Sequence, residues 1–138
     1  DVDRLIQLEN KLVGTKTYSP ATTYEDWKGE FDKSDVFLLI NKEELVGDLS
    51  YQIVSDSEIY ISGLVVDPAY QGKGYGKQAV QKVLDDNKRV GKFYLMTHPE
   101  SPAVRLYESF GFVEKEKYEN YFGDGEPRIK MQMQRGID

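Results

Sequence analysis

The chain has 138 residues, the length of one ordinary domain, and its 39% hydrophobic and 30% charged residues exclude a disordered chain. It contains no cysteine, which excludes a disulfide framework, a thiol nucleophile and a thiolate metal site. The net charge of −6 argues against a nucleic-acid-binding surface and favours cationic partners.

Hydrophobic spacing and turn residues predict two helices and three strands in the first half of the chain. Leu5, Leu8 and Leu12 recur at helical spacing, and Gly14 ends this first helix. Thr23, followed by Asp26 three residues later, is typical of a capping box at a helix start. The predicted elements are helices Asp3–Val13 and Tyr24–Asp32, a polar loop Thr15–Thr22, and strands Val36–Ile40, Leu45–Val54 and Ile59–Val66.

A glycine-rich turn follows the third strand and precedes an amphipathic helix that Gly91 is expected to end. Three glycines alternate in this turn, at positions 72, 74 and 76. A strand, a turn of bare backbone and a helix N-terminus together form an anion site. Lys73 and Lys77 lie at the helix start, where the dipole disfavours cations, so a bound phosphate would supply the missing negative charge. The alternative is a pair of solvated lysines.

Two common phosphate-binding motifs do not fit this turn. The dinucleotide fingerprint would need a glycine at position 77, where Lys77 stands. The P-loop would need a glycine at 71 and a hydroxyl at 78, where Gln71 and Gln78 stand. A nucleotide-binding module that uses the turn for ATP is therefore disfavoured.

The last third of the chain predicts a strand, a helix and a closing hairpin. The strand Phe93–Thr97 is expected to lie parallel to Ile59–Val66, because a helical crossover connects them. Ser101-Pro102 is typical of an N-cap followed by proline at the first helical position, and Gly111 ends that helix. The hairpin is predicted over Phe112–Glu119 and Pro127–Gln134.

Two motifs together resemble the GNAT acetyltransferase family. The run 71–76, Gln-Gly-Lys-Gly-Tyr-Gly, is similar to the family's Q/R-x-x-G-x-G/A signature, and Val65-Val66-Asp67-Pro68 to its V-D-P lead-in. The run 103–112, Ala-Val-Arg-Leu-Tyr-Glu-Ser-Phe-Gly-Phe, is similar to the second signature, A-x-x-L-Y-E-x-x-G-F. The resemblance implies one α/β (α+β) domain over residues 1–138. Its mixed, mainly antiparallel sheet of about six strands would have a central splayed parallel pair and helices on both faces. The family's usual first strand is not expected here.

The same resemblance implies acetyl-CoA as co-substrate and no metal. Pantetheine would bind in the splay by strand-like hydrogen bonds, with the Leu64 N–H as a candidate oxyanion donor. Gly63 is expected to mark the bulge that opens the splay; the alternative is a plain weak point in a strand. The implied coenzyme-binding residues are Leu64, Val65, Val66, Gln71, Gly72, Lys73, Gly74, Tyr75, Gly76, Ser101 and Tyr107.

Tyr107 is the expected general acid, because the matched family tyrosine protonates the leaving thiolate; the alternative is a core tyrosine. The base is open between His98, the only histidine, and Glu58 acting through water. Where enzymes acetylating protein N-termini carry a strand glutamate, this chain has Leu95 or Met96. Glu100 replaces a frequent asparagine.

The expected function is N-acetyl transfer from acetyl-CoA to a primary amine by direct attack in a ternary complex. The amine would be a peptide or protein N-terminus, since the tail 118–133 resembles enzymes of that kind, or a small cationic amine. A non-catalytic acyl-CoA sensor is the alternative. The loops 15–22 and 119–126 would flank the amine, with walls Tyr18, Tyr121 and Phe122 and acidic anchors Glu119, Asp124 and Glu126.

The sequence also carries expectations about partners and location. No apolar run approaches transmembrane length and no signal peptide opens the chain, so we expect a cytoplasmic protein without a membrane partner. We expect no nucleic-acid partner, and either a monomer or a homodimer.

Overall fold

The computed structural model describes residues 2–136, so the predicted domain limits at 1 and 138 lie outside the described residues. Within this range, four α-helices and six β-strands form one mixed α/β unit. In chain order they are α1 (Val2–Asn10), α2 (Tyr24–Lys33), β1 (Asp35–Asn41), β2 (Glu44–Ser55), β3 (Glu58–Val66), α3 (Tyr75–Asp86), β4 (Lys92–Thr97), α4 (Ala103–Ser109), β5 (Val113–Tyr118) and β6 (Arg128–Gln134). No helix within residues 2–136 is long and apolar enough to cross a membrane.

The six described strands form one sheet in the order β1-β2-β3-β4-β6-β5. Neighbouring strands pair antiparallel except β3 and β4, which pair parallel across the α3 crossover. This confirms the predicted fold class. The closing hairpin is also confirmed, and its second strand, β6, lies inside the sheet beside β4.

Helices cover both faces of the sheet. On one face α1 and α2 bury a small core that includes Leu5, Leu8, Trp27 and Val65. On the other face α3 and α4 pack on a larger core whose buried members include Val80, Val83, Ile59, Ile61, Phe93, Leu95 and Phe112. Because both faces are covered, side chains at the centre of the sheet are buried on both sides.

The predicted start of α2 is confirmed in its hydrogen bonds. The Asp26 N–H donates to Thr23 Oγ1 at 3.1 Å, and the Thr23 N–H donates to Asp26 Oδ2 at 3.3 Å. These reciprocal bonds satisfy two backbone donors and form a complete capping box. Between β1 and β2, Lys42 and Glu43 both have positive φ, as a tight hairpin turn requires.

Three predicted helix limits were wrong. The first helix ends at Asn10 and not Val13, and residues 11–14 form turns. Helix α3 ends at Asp86, well before Gly91, because the Asn87 side chain donates to the Val83 carbonyl at 2.8 Å. The last helix begins at Ala103, so Ser101 is not its N-cap, although Ser101 Oγ accepts the Ala103 N–H at 3.2 Å.

Candidate active site

The parallel strands β3 and β4 separate in the middle of the sheet. They pair from Glu58 with Lys92 to Ile61 with Leu95, and no described pair follows. Strand β3 continues to Val66 beyond this point. A cavity of about 630 Å³ lies at the separation, lined by residues from α4 on one face and from α1 and α2 on the other. The cavity therefore passes through the sheet, and β3 offers it an unpaired strand edge.

A bulge lies where β3 departs from β4. In the pairing with β2, Gly63 lies opposite Ser50 and Ile61 lies opposite Tyr51, which leaves Ser62 as the extra residue. A Cβ on Gly63 would come within 2.9 Å of Ser50 Oγ, so a side chain at this position would force the Ser50 hydroxyl to move. The predicted bulge is thus present, one residue before Gly63.

The glycine-rich turn connects β3 to α3 with backbone geometry suited to an anion. Gly72 and Gly74 have φ of 80° and 89°, a region that glycine adopts without strain. Gly74 is the N-cap of α3 and makes no side-chain cap, so the first N–H groups of α3 have no side-chain partner. A Cβ at either glycine would meet nothing within 4 Å. The positive φ angles therefore explain why glycine occupies both positions. The open space beside them leaves room for an anion.

Gly76 serves a different purpose in the same turn. A Cβ there would lie 3.1 Å from Leu106 Cδ2, so the bare backbone lets α3 pack closely on α4.

Of the two lysines at the start of α3, Lys77 lines the cavity. Lys73 does not; its Nζ lies 5.4 Å from the centroid of the Tyr70 ring.

Asp67 fixes the path of the chain from β3 into this turn. Its Oδ1 accepts the Ala69 N–H at 2.9 Å, and Lys11 of the α1 turn pairs with Oδ2 at 2.5 Å. Its own N–H donates to the Val46 carbonyl at 2.7 Å. Gln71 Nε2 also donates to the Val66 carbonyl at 3.2 Å. These bonds hold the turn against β2 and β3, which keeps its backbone preorganised.

Tyr107 lies on α4, is buried, and lines the cavity. Its ring packs edge-on against Phe112 with centroids 5.8 Å apart. Among the described residues its hydroxyl makes no hydrogen bond. Burial raises the pKa of Tyr107 above its usual value, so the phenol holds its proton at neutral pH. The geometry therefore leaves a protonated hydroxyl available to a bound molecule.

His98 follows β4 and lines the cavity, but both of its ring nitrogens are engaged. Nδ1 accepts the Glu100 N–H at 3.0 Å, and Nε2 lies 2.8 Å from Glu126 Oε1. Because Nδ1 accepts a backbone hydrogen, the neutral ring carries its proton on Nε2 and donates it to Glu126. His98 is almost fully buried, whereas a lone loop histidine is usually exposed. Its geometry suits positioning of the 119–126 loop better than proton abstraction.

Glu58 lies away from the cavity. It is the first residue of β3 and pairs with Lys92 at 3.4 Å, at the end of the strand where β3 and β4 are still joined. It is not among the residues that line the cavity. The structure therefore does not bring Glu58 together with Tyr107 and the glycine turn.

The two loops expected to flank the amine contact each other. Ser19 Oγ donates to Asp124 Oδ2 at 2.6 Å, and Arg128 pairs with the same carboxylate at 2.9 Å. The Ser19 hydrogen bond, with further help from Arg128, lowers the pKa of Asp124 to about 2. Asp124 and Glu126 are thus occupied by groups of this chain, Arg128 and His98. Tyr18 and Phe122 line the cavity, whereas Tyr121 and Glu119 do not.

Sequence reasoning missed three carboxylates that line the cavity: Glu9 of α1, Glu30 of α2 and Asp48 of β2. Glu9 continues the buried stripe of Leu5, Leu8 and Leu12 at helical spacing, and this spacing was a signal for its burial. Asp48 gave no such signal, because both faces of β2 are covered and every residue from Leu45 to Ser50 is buried.

Most of the residues predicted from the coenzyme motifs meet at the cavity. Those that line it are Leu64, Val65, Val66, Gln71, Gly72, Gly74, Tyr75, Gly76, Ser101 and Tyr107, with His98 beside them. Lys73 and Glu58 do not line it. In the described part of the chain, no group of three or more histidine, aspartate and glutamate residues is arranged to hold a metal ion.

Two curated proteins match part of the chain. The [ribosomal protein bS18]-alanine N-acetyltransferase of Haemophilus influenzae is 31% identical over 86 residues, which are 61% of this chain and 58% of that protein. The L-methionine sulfoximine/L-methionine sulfone acetyltransferase of Salmonella typhimurium is 38% identical over 50 residues, 34% of this chain and 29% of that protein. The matches thus span less than two thirds of either relative.

Solved structures share the fold at low sequence identity. The ribosomal-protein-S18-alanine N-acetyltransferase from Escherichia coli has a TM-score of 0.82 at 22% identity, covering 100% of this chain and 90% of that one. A GNAT family acetyltransferase from Elizabethkingia anophelis with acetyl-CoA bound has a TM-score of 0.70 at 20% identity, covering 82% and 84%.

The family model for the acetyltransferase (GNAT) family matches residues 3–112, which contain both sequence motifs, the separated strands and Tyr107. The chain belongs to the GNAT acetyltransferase family.

Proposed function

We propose that this protein transfers the acetyl group of acetyl-CoA to a primary amine by direct attack in a ternary complex. The observation that carries the proposal is the separation of β3 from β4 beyond Ile61, with a through-sheet cavity that ends at the glycine turn. An open strand edge accepts an extended amide-containing arm such as pantetheine. The related structure from Elizabethkingia anophelis, which holds acetyl-CoA, supports this assignment.

The chain's own residues divide the binding work along the cavity. Backbone groups of Leu64 and Val66 would bind the pantetheine arm, because β3 has no pairing with β4 there. The N–H groups of the glycine turn and the start of α3 would bind the pyrophosphate, with Lys77 beside them on the cavity wall. Lys73 does not line the cavity, so it would act on the pyrophosphate only through long-range electrostatic attraction.

The reaction needs a group that donates a proton to the leaving sulfur and a group that accepts a proton from the amine. When bound, acetyl-CoA supplies a thioester whose carbonyl carbon the amine nitrogen attacks, so a C–N bond forms and the C–S bond breaks. We assign the Leu64 N–H to the developing charge on the carbonyl oxygen. The buried phenol of Tyr107 donates a proton to the departing sulfur. The amine's proton leaves through water, since His98 has both nitrogens engaged and Glu58 lies off the cavity.

The acceptor is a primary amine on a peptide or protein N-terminus, or a small cationic amine. The likeness to the bS18-alanine N-acetyltransferase supports the first choice. A net charge of −6 and the acidic residues at the cavity support a cationic acceptor in either case.

The experiment is a turnover screen with acetyl-CoA across polyamines, aminoglycosides, amino acids and short peptides, including peptides that begin with alanine, followed by mass spectrometry of the products. We expect acetylation of at least one cationic primary amine.

In parallel, acetyl-CoA should raise the melting temperature of the wild type, because a ligand that binds only the native state stabilises it. Gly74→Asp should abolish that shift, because a carboxylate would face the phosphates and φ of 89° strains a side chain.

A sensor that binds acyl-CoA without turnover is the second candidate. The observation that favours it is the lack of a free general base among His98 and Glu58. Coenzyme binding with no acetylated product from any amine in the screen would support the sensor and contradict the transferase.

A further inference from the structure

Glu9 and Asp48 lie on the face of the sheet opposite to the helices that form the coenzyme side. Asp48 pairs in register with Val65, and cross-strand partners share a face of the sheet. Val65 packs with Leu5, Leu8 and Trp27 under α1 and α2. Glu9 and Asp48 both line the cavity, so the cavity reaches them from the β3–β4 separation.

The two carboxylates are buried and incompletely paired. Glu9 is 1% exposed and Asp48 is 2% exposed. Among the described residues, Glu9 Oε2 and Asp48 Oδ2 have no hydrogen-bond partner. Glu9 Oε1 accepts the Tyr18 O–H at 2.6 Å and the Ala21 N–H at 3.4 Å, which fixes the carboxylate and leaves its second, buried oxygen without a hydrogen-bond partner.

Two basic side chains, one just after α1 and one on the cavity wall, are paired elsewhere. Lys11 pairs with Asp67, and Arg128 pairs with Asp124. Within residues 2–136 no ion pair includes Glu9 or Asp48. A buried carboxylate without a cation is costly, and native proteins keep such groups mainly at functional sites.

We propose that Glu9 and Asp48 form a binding site for a second ammonium group of the acceptor, separate from the amine that is acetylated. The inference rests on the proposed function and names its substrate class: a diamine or polyamine. The second ammonium would supply the positive charge that the two open carboxylate oxygens lack and would donate hydrogen bonds to both.

The chemistry separates the anchored group from the reacting one. The attacking nitrogen must be neutral to use its lone pair, whereas a nitrogen held between two carboxylates stays protonated. An acceptor with two amines meets both demands at once. Burial raises the pKa of Glu9 to about 7 and raises that of Asp48 well above its usual range, with further repulsion from Glu9 and Glu30 on Asp48. Binding of the ammonium should therefore release protons at neutral pH.

The test measures binding without turnover. Propane-1,3-diamine to hexane-1,6-diamine, and the monoamines of the same lengths, are titrated calorimetrically into the protein loaded with coenzyme A, which carries no acetyl group. We expect at least one diamine to bind about tenfold or more tightly than its matched monoamine. Titrations in two buffers of different ionisation enthalpy should show proton release with that diamine only.

The double variant Glu9→Gln, Asp48→Asn keeps the shapes of both side chains and removes their charges. It should bind the diamine and the monoamine within about a factor of three of each other, with no proton release. The two single variants give the same test if the double variant does not fold. Asp32→Asn, an exposed carboxylate on α2 that does not line the cavity, is the matched control and should keep the wild-type preference.

Two results would overturn the inference: equal affinities for diamines and monoamines in the wild type, or an unchanged diamine preference in the double variant. Its failure is distinguishable from that of the proposed function. Diamine binding through Glu9 and Asp48 with no acetyl transfer would contradict the transferase alone. Acetyl transfer with no diamine preference would contradict the anchor alone.

Discussion

At the scale of single residues, Tyr107 carries the catalytic part of the proposal. Its hydroxyl has no partner among the described residues, and the ring is held by Phe112. Tyr107→Phe removes only the hydroxyl, so the fold and coenzyme binding should survive. The rate at saturating amine should fall by about 100-fold or more, because general-acid work contributes on that scale. Steady-state kinetics with acetyl-CoA measures this.

The matched control for Tyr107→Phe is Tyr51→Phe, which removes the hydroxyl of a partly buried tyrosine that does not line the cavity. Its rate should stay at the wild-type value. If Tyr107→Phe stays within a factor of two of wild type, Tyr107 is a packing residue and the thiolate takes its proton from water.

The buried carboxyl of Glu9 should make the free energy of unfolding depend on pH. Burial raises its pKa from 4.5 to about 7, against weaker opposing hydrogen bonds from Tyr18 and Ala21, and with repulsion from Asp26. The folded protein thus holds this proton more tightly than the unfolded chain does. The contribution of this bound proton to the free energy of unfolding is fully present below about pH 4.5 and is lost as pH rises through about 7. Glu9→Gln should remove this loss, which is at most about 3 kcal/mol.

Urea unfolding at pH 5 and pH 8 measures the effect. Relative to wild type, Glu9→Gln should gain free energy of unfolding at pH 8 compared with pH 5. Because Glu9 also raises the pKa of Asp48, the same comparison in the Asp48→Asn background isolates the contribution of Glu9. A constant difference between the proteins at both pH values would show that Glu9 is ionised in the folded state throughout.

At the scale of secondary-structure elements, the glycine turn was predictable and the acceptor side was not. Positive φ at Gly72 and Gly74 needs glycine, so the backbone geometry was visible in the sequence. The capping box before α2 was visible for the same kind of reason, since a local hydrogen-bond pair fixes it. Glu9 was not identified because a glutamate among leucines is ordinarily an exposed residue at the edge of a stripe.

Features that depend on distant contacts could not be predicted. The engagement of Asp124 and Glu126 depends on Arg128 and His98, which only the folded loop brings near. The end of α3 has a local cause instead, because the Asn87 side chain donates to the Val83 carbonyl one turn earlier and ends the helix before Gly91. The burial of Asp48 depends on helices that cover both faces of β2. The pattern of polar and apolar residues along one strand does not show that both of its faces are covered.

At the scale of the whole molecule, the sheet separates two binding sides and the β3–β4 gap joins them. Helices α3 and α4 and the glycine turn present backbone and Tyr107 on the coenzyme side. Helices α1 and α2 present Glu9, Glu30 and Asp48 with β2 on the other side. In the proposed reaction, the two substrates would meet within this cavity at Leu64.

In the proposed complex, acetyl-CoA occupies the gap beside β3. Hydrogen–deuterium exchange with and without acetyl-CoA tests this directly, with Gly74→Asp as the control that should show no change. We expect new protection at the amides of residues 62–66 and 72–77. We expect little change at residues 58–61, which are already paired with β4. Protection confined to other segments, or none at residues 62–66 at saturating acetyl-CoA, would contradict this placement of acetyl-CoA.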